Sequence, residues 1–478
     1  MALRVWNSLT DRKEELLPLH PGKVGIYVCG ITVYDLAHLG HARFMVAFDI
    51  IVRFLRWEGI EVRYVRNWTD VDDKIIRRAV ERGEEPSELS ARFIQACRED
   101  MEKLNVLPGD FEPKATEHIP EMIALIDTLV AKGNAYASGG DVYFAVRSFP
   151  QYGKLSRRNL DDLRAGARVD PGEVKRDPLD FALWKGTKPG EPGSVSWPSP
   201  WGPGRPGWHI ECSAMAQRYL GTSFDVHGGG KDLVFPHHEN EIAQSEAASG
   251  QPLARYWLHN GFVTLDSEKM SKSLGNVWTL RDLLAHWDGE ALRALLLSTH
   301  YRHPINFTES AVADADAQVD YFYETLLKSE AYLDQKKWKG AASHVDEVLA
   351  RFRAALEDDF NTAEALATLT ALYGQLNARV DAKAALGEVA ALLQTARALG
   401  QVLGLTFRAP RNAVRERRAL AAARKGIDPA WVEERIAQRL EARKSREFSR
   451  ADAIRAELLG RGVELRDAAS GTDWRVLP

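Results

Sequence analysis

Residues 233–247 read LVFPHHENEIAQSEA, two adjacent histidines ahead of two carboxylates in a helix-favouring stretch. A helix that starts just after Pro236 puts His237 and Glu241 four residues apart on one face. An imidazole and a carboxylate placed side by side are two ligands of a metal site, so its other half must lie elsewhere in the chain.

Two further stretches carry chemistry. In DLAHLGHAR, His38 and His41 flank Gly40 just after an apolar run. At a helix N-terminus, where unpaired N–H groups and the positive dipole end gather, such residues suit a polyphosphate. A pair of surface histidines in a helix cap accounts for the same four residues, because an isolated motif has a high false-positive rate. In SEKMSKSLGN, Lys269 and Lys272 alternate with small serines before a Gly-Asn turn signal. A cationic loop of this kind places charge where phosphate charge develops, although a solvated turn is the ordinary fate of such a segment.

The elements that position these residues follow from periodicity. KVGIYVCG reads as a buried strand, HARFMVAFDIIVRFLRWEG as an amphipathic helix closing at Gly59, and IEVRYVRNW as the next strand, together a β-α-β opening over 22–66. Residues 71–136 read as mainly helical. Residues 150–206, rich in Pro, Gly and basic side chains, read as an insertion, after which α/β texture returns with GWHIECSAMAQRYLG. From about residue 311, Ala/Leu/Glu-rich segments predict a helical bundle. After FRAPRNAV come further helices and two short β segments at VELRD and DWRV. The one GxGxxG match, GPGRPG at 202–207, follows no predicted strand, so the usual dinucleotide fingerprint is missing.

Composition bounds the rest. The chain has 478 residues, 45% hydrophobic and 27% charged, an ordinary globular balance. Its apolar runs fall far short of the roughly 20 residues that a membrane span needs, and MALRVWNSLT lacks the pattern of a secretory signal. Three cysteines, Cys29, Cys97 and Cys212, do not make a disulfide framework and suit a reducing cytoplasm. The net charge of −4 is uneven: residues 406–478 hold 17 Lys+Arg against 11 Asp+Glu, a net of +6, which leaves −10 on the remainder. A basic appendage on an acidic body suits a nucleic-acid partner, and a solvated helical surface gives the same count.

HLGH and KMSKS, in this order on either side of an α/β domain, resemble the class I aminoacyl-tRNA synthetases. YVCGITVYDLAHLGHAR, NWTDVDDKII, GWHIECSAM, HGGGKDLVFPHHENEIAQSEA and KMSKSLGN together resemble the cysteinyl-tRNA synthetase family, over nearly the whole chain. The resemblance implies a Rossmann-like α/β catalytic domain in two halves, 1–115 and 207–255, around a connective insertion at 116–206. A stem-contact region with the lysine loop follows at 256–310, then a helical bundle at 311–405 and a small α+β anticodon-binding domain at 406–478. It also implies one zinc ion on Cys29, Cys212, His237 and Glu241, a set whose two thiolates, imidazole and carboxylate are reasonable zinc donors. His238 and Glu239 are nearby decoys for that set, and Cys97 is read as a buried hydrophobe. Zinc would separate cysteine from isosteric serine, which a shaped pocket does poorly, by binding sulfur directly.

By the same resemblance, His38, Gly40, His41, Gly229 and Lys272 serve ATP, with His38, His41, Lys269 and Lys272 catalytic and Mg²⁺ accompanying the nucleotide. Gly30, Thr69, Trp208 and Asp232 contact the amino acid or ribose. Arg443, Lys444, Arg450 and Trp474 are expected to meet transfer RNA, with the tryptophan stacking on a base. The expected protein is cytoplasmic, monomeric and free of membrane, with L-cysteine, ATP and the cysteine transfer RNA as partners. Three rivals stand beside it. A mycothiol cysteine ligase would share the zinc site but not need the basic unit. A zinc hydrolase on HHENE explains neither HLGH nor KMSKS, and an RNA-binding module with structural zinc would lack catalysis.

Overall fold

The computed structural model describes residues 3–159, 175–265, 268–269, 278–468 and 471–477. Four parallel strands make its central sheet: β1 (Lys23–Thr32), β2 (Glu61–Thr69), β3 (Phe224–Gly230) and β4 (Ala254–Asn260), in the spatial order β4-β3-β1-β2. Phe111 and Lys114 extend the sheet beyond β2 through parallel bridges to Val65 and Trp68. β1 is apolar on both faces, as a central strand covered by helices requires. The helix α1 (Leu39–Trp57) crosses from β1 to β2 and buries Met45, Phe48, Ile51 and Leu55. α2 (Trp208–Leu220) and α3 (Glu239–Ser249) flank β3 in the chain. Strand order reverses between β1 and β3, so their carboxyl ends open the crevice where doubly wound folds bind ligands.

The chain between the two halves of the sheet folds as helix Ile119–Ala131 and a four-stranded antiparallel sheet of 135–138, 141–144, 181–186 and 204–206. Its Ile126, Phe144 and Trp184 share one core with Cys29, Ile210, Cys212 and Ile242 of the catalytic half. The insertion is therefore packed against the site. A hairpin of Arg4–Asn7 with Arg12–Glu15, which periodicity over so few residues does not reveal, lies beside β4 through the Ser8 N–H to Trp257 carbonyl bond.

Helices Glu309–Gln335, Asp346–Glu357, Thr362–Asp381 and Leu386–Leu403 form the expected bundle. Helix Pro410–Arg424 follows, held by ion pairs: Arg417 meets Asp288, Asp316 and Asp320, each at 2.6 Å, and Arg424 meets Asp316 at 2.7 Å. Beyond it, helices Pro429–Lys444 and Phe448–Gly460 and the hairpin Val463–Ala468/Gly471–Val476 enclose a separate small core. Trp474 belongs to that core. It is 3% exposed and its indole N–H donates to Glu433 at 2.7 Å, so it is not presented for base stacking. Alternation on one face of the hairpin buries Val463, Leu465 and Trp474 together, which overrides the surface role expected of a lone aromatic in a basic segment. Arg443 pairs with Asp467 and Arg450 with Glu447, whereas Lys444 stands 3.9 Å from Glu441 with its side chain 77% exposed.

Candidate active site

The carboxyl end of β1 carries Cys29 into the crevice. β1 and β2 lose register between Val28 and Ile31, and the strands approach so closely there that a Cβ on Gly30 would sit 1.6 Å from the Asn67 carbonyl oxygen. Only glycine fits. The Gly30 N–H donates to Asn67 Oδ1 at 2.8 Å, and the Cys212 thiol lies 3.7 Å from the same oxygen. Cys212 comes from the first turns of α2. His237 and Glu241 come from the other side, His237 from the irregular turn Val234–His238 and Glu241 from the first turn of α3, which begins at Glu239 rather than directly after Pro236. His237 Nε2 and Cys29 Sγ lie 3.0 and 3.3 Å from Glu241 Oε1. One ligand atom from each of Cys29, Cys212, His237 and Glu241 falls within 4.8 Å of all the others, and all four residues are buried.

A second group meets the same criterion: Cys29, His227, His238 and Glu241. His227 Nε2 bonds Glu241 Oε2 at 2.8 Å while its ring stacks on Trp257, and His238 Nδ1 pairs with His259 Nε2 at 2.8 Å. The histidine in FDVHGGG thus belongs to the cluster although its motif draws attention to the glycines. The buried polar cluster around it is assembled by tertiary contact, which spacing alone does not encode. His238 is no bystander, whereas Glu239 is turned elsewhere and accepts the N–H groups of Gly153 and Ser156 at 2.9 and 2.7 Å.

Electrostatics favour the anionic form at Cys212 and Glu241 but not at Cys29. Burial raises the Cys212 thiol, but hydrogen bonding from Cys29 and His237 outweighs it and brings the group down to about 6. Burial opposes charge on His237, and Glu241 and Cys212 overcome it, raising the imidazole to about 10. Glu241 is held well below the usual carboxylate range against burial by His227 and His237. Cys29 is pushed up by burial and by its neighbour Cys212. Cys97, 1% exposed in helix Pro86–Lys103, is pushed up to about 12 by burial and lies apart in the other core.

Trp208 opens α2 and stacks on His237 at 4.3 Å between ring centroids. Thr69 ends β2, buried, with Asn67 Nδ2 3.3 Å from its hydroxyl. Gly229 lies at the end of β3, where a Cβ would come 2.9 Å from His238 Cε1, and Asp232 sits in the exposed turn just beyond. His38 caps α1, and the His41 N–H donates to its Nδ1 at 3.3 Å, while the His38 N–H donates back to His41 Nδ1 at 3.2 Å. Their rings stack at 3.6 Å over the first turn, which contains Gly40. Lys269 pairs with Thr264 in a short strand, and Lys272 lies outside the described residues. Thr279, just beyond the lysine loop in sequence, bridges to His38, and the Leu280 N–H donates to the Ala37 carbonyl at 2.7 Å. That tie between the two motif regions is invisible in sequence.

Comparison with known proteins sets the class first. The class I (C) tRNA synthetase catalytic domain matches residues 15–317, and the DALR domain matches 351–408. A methionyl-tRNA synthetase of Mycobacterium tuberculosis, solved with methionyl-adenylate, shares the fold at 17% identity, with a TM-score of 0.58 over 85% of this chain and 94% of that one. At full length the chain is 56% identical to a cysteine–tRNA ligase of Anaeromyxobacter sp. (strain K), covering 100% of both. It is 53% identical to that of Geobacter sulfurreducens, again over 100% of each. The chain belongs to the cysteine–tRNA ligase family.

Proposed function

We propose that the chain activates L-cysteine with ATP and transfers it to the 3′ end of the cysteine transfer RNA, with a zinc ion on Cys29, Cys212, His237 and Glu241 selecting the thiol. The observation that carries the zinc assignment is the convergence of these four buried donors, drawn from three separate stretches of the chain, within 4.8 Å. The donor set fits the metal: two sulfurs, one imidazole and one carboxylate are ordinary zinc chemistry, and thiolate ligands argue against magnesium or calcium. Zinc held there supplies a soft Lewis acid that binds a substrate thiolate far more strongly than a serine hydroxyl.

The chain's own residues do the rest. Asn67 holds Gly30 against β2 and so fixes Cys29; His227 orients Glu241 through a 2.8 Å bond. Trp208 walls the pocket and keeps His237 in its rotamer by stacking. His38 and His41 cap the first turn of α1, whose remaining N–H groups and dipole face incoming phosphates. Lys269 and Lys272 supply positive charge to the pyrophosphate as it departs, alongside Mg²⁺ carried by ATP. Adenylate formation is then mainly positioning and charge stabilisation. The carboxyl-terminal unit receives transfer RNA, a basic partner surface being the sense of its surplus charge, and the reaction has its place in the cytoplasm. Among the described residues no helix is long and apolar enough to cross a membrane.

The full-length match to cysteine–tRNA ligases, the basic unit included, disfavours the amino-sugar ligase reading. Cysteine-dependent ATP–pyrophosphate exchange, with serine as the control and charging of transfer RNA as the second step, tests the proposal. Exchange with cysteine and none with serine is expected; absence of exchange in zinc-loaded protein overturns it.

A further inference from the structure

A further buried carboxyl lies beside the Cys212 end of this cluster. Glu211 stands on α2 immediately before Cys212 and three residues after Trp208, which places it on the end of the helix that faces the crevice. It is 1% exposed, and its Oε2 is buried with no hydrogen-bond partner. The Thr69 hydroxyl is a hydrogen-bond neighbour of the carboxyl, and Cys212, Asp72 and Asp70 are the strongest charges acting on it. The neighbours are otherwise engaged. Asp70 accepts the Thr116 N–H at 3.0 Å and its hydroxyl at 2.6 Å, and Asp72 accepts the Lys74 N–H at 2.8 Å as a helix cap. A buried carboxyl oxygen without a donor is costly unless something supplies one, and the surroundings are negative, so the fitting donor is a cation.

We infer that Glu211, with Thr69 beside it, is the seat of the substrate's α-ammonium group. The inference rests on the reading of Cys29, Cys212, His237 and Glu241 as the seat of the substrate's sulfur. Cys212 and Glu211 are consecutive, so the sulfur and nitrogen seats are neighbours, and cysteine carries its thiol and ammonium on adjacent carbons. A ligand pinned at both groups presents its carboxylate outward, toward the phosphates at the start of α1. Thiol selection and amine selection then come from one turn of helix, and the enzyme rejects thiols that are not amino acids as well as amino acids that are not thiols.

The test uses the full-length zinc-loaded protein and reads ligand binding, not turnover. Affinities for L-cysteine and for 3-mercaptopropionate, which keeps the thiol and carboxylate but lacks the amine, are measured by calorimetry in the wild type, Glu211→Gln and Glu211→Asp, with zinc content determined for each. A charge-assisted hydrogen bond sets the wild-type preference for cysteine at about 10- to 100-fold. Glu211→Gln should reduce that preference by about tenfold or more while leaving 3-mercaptopropionate affinity and zinc content unchanged, and Glu211→Asp should restore part of it. A preference for cysteine that survives in Glu211→Gln overturns the inference. If 3-mercaptopropionate binds no better than propionate in zinc-loaded wild type, the sulfur seat itself is wrong and the inference falls with it. Should Glu211→Gln lose its zinc, unaltered discrimination in Glu211→Asp and the absence of any cysteine preference in the wild type remain the overturning results.

Discussion

Cys29 and Glu241 lie 212 residues apart in sequence and 3.3 Å apart in space, Sγ to Oε1. The parallel sheet accounts for this: β1 delivers the cysteine to its carboxyl edge, β3 ends beside it, and α3 returns over the switch point with Glu241 in its first turn. A two-sulfur, one-imidazole, one-carboxylate cluster follows from topology.

Cys212→Ser should lose bound zinc, because a hydroxyl is a poor zinc ligand at neutral pH and the remaining three donors leave the set incomplete. Metal content by atomic absorption is expected to fall from one zinc per chain to a small fraction, with cysteine-dependent exchange falling with it. Retention of full metal in the variant would exclude Cys212 from the set.

Glu239 is fully buried and accepts N–H groups from Gly153 and Ser156, pinning the insertion to α3. Replacing it with alanine leaves those buried donors unpaired, at a cost of about 2–4 kcal/mol. Chemical denaturation should show that loss, and limited proteolysis should show new cleavage near residues 150–158. A change within about 0.5 kcal/mol would mean that solvent replaces the carboxylate at no cost.

Much of this arrangement is legible in the sequence, for definite reasons. β1 is a continuous apolar run, α1 and β2 are patterned over nine or more residues, and all three fall within two residues of their expected bounds. His237 and Glu241 follow from four-residue spacing. Other parts depend on contacts between distant segments, which no local pattern records: the second cluster around His227 and His238, the Asn67 clamp on Gly30, and the bridge from Thr279 to His38. Trp474 marks the opposite limit, since composition placed it on a basic surface and a six-residue hairpin buries it.

Asp73 ties the start of helix Asp73–Arg82 to the insertion through Lys185 at 2.7 Å and Arg205 at 2.8 Å. Burial raises this carboxyl, and the two hydrogen bonds outweigh it, bringing it down to about 2. A depressed folded value means that the stabilisation is complete above the unfolded value of about 3.9 and fades as pH falls through about 2. With its side chain 48% exposed, solvent limits the contribution to under about 1 kcal/mol. Asp73→Asn should therefore lower stability slightly at pH 7, by an amount that shrinks between about pH 4 and pH 2. A difference that grows on acidification would contradict the pairing.

Lys272→Ala should lower the single-turnover rate of adenylate formation by roughly 10²-fold with little change in cysteine affinity, since charge applied to a developing transition state acts on kcat. Weaker ATP binding at an unchanged rate would make Lys272 a ground-state contact.

Truncation after Gly426 leaves the ion-paired helix 410–424 in place and removes the unit with its own core. Cysteine-dependent exchange should persist, while charging of the cysteine transfer RNA falls sharply and the salt dependence of its binding becomes shallower. Undiminished charging by the truncated chain would deny that unit a role in recognition.

The central claim is that cysteine is told from serine by metal–sulfur contact at Cys29, Cys212, His237 and Glu241. ATP–pyrophosphate exchange with each amino acid, run on zinc-loaded protein, on protein stripped by a chelator and on stripped protein given zinc again, tests it most directly. The account predicts exchange with cysteine and not serine in the loaded protein, loss of exchange on stripping, and recovery on reloading. Stripped protein that still activates cysteine and still rejects serine would contradict it.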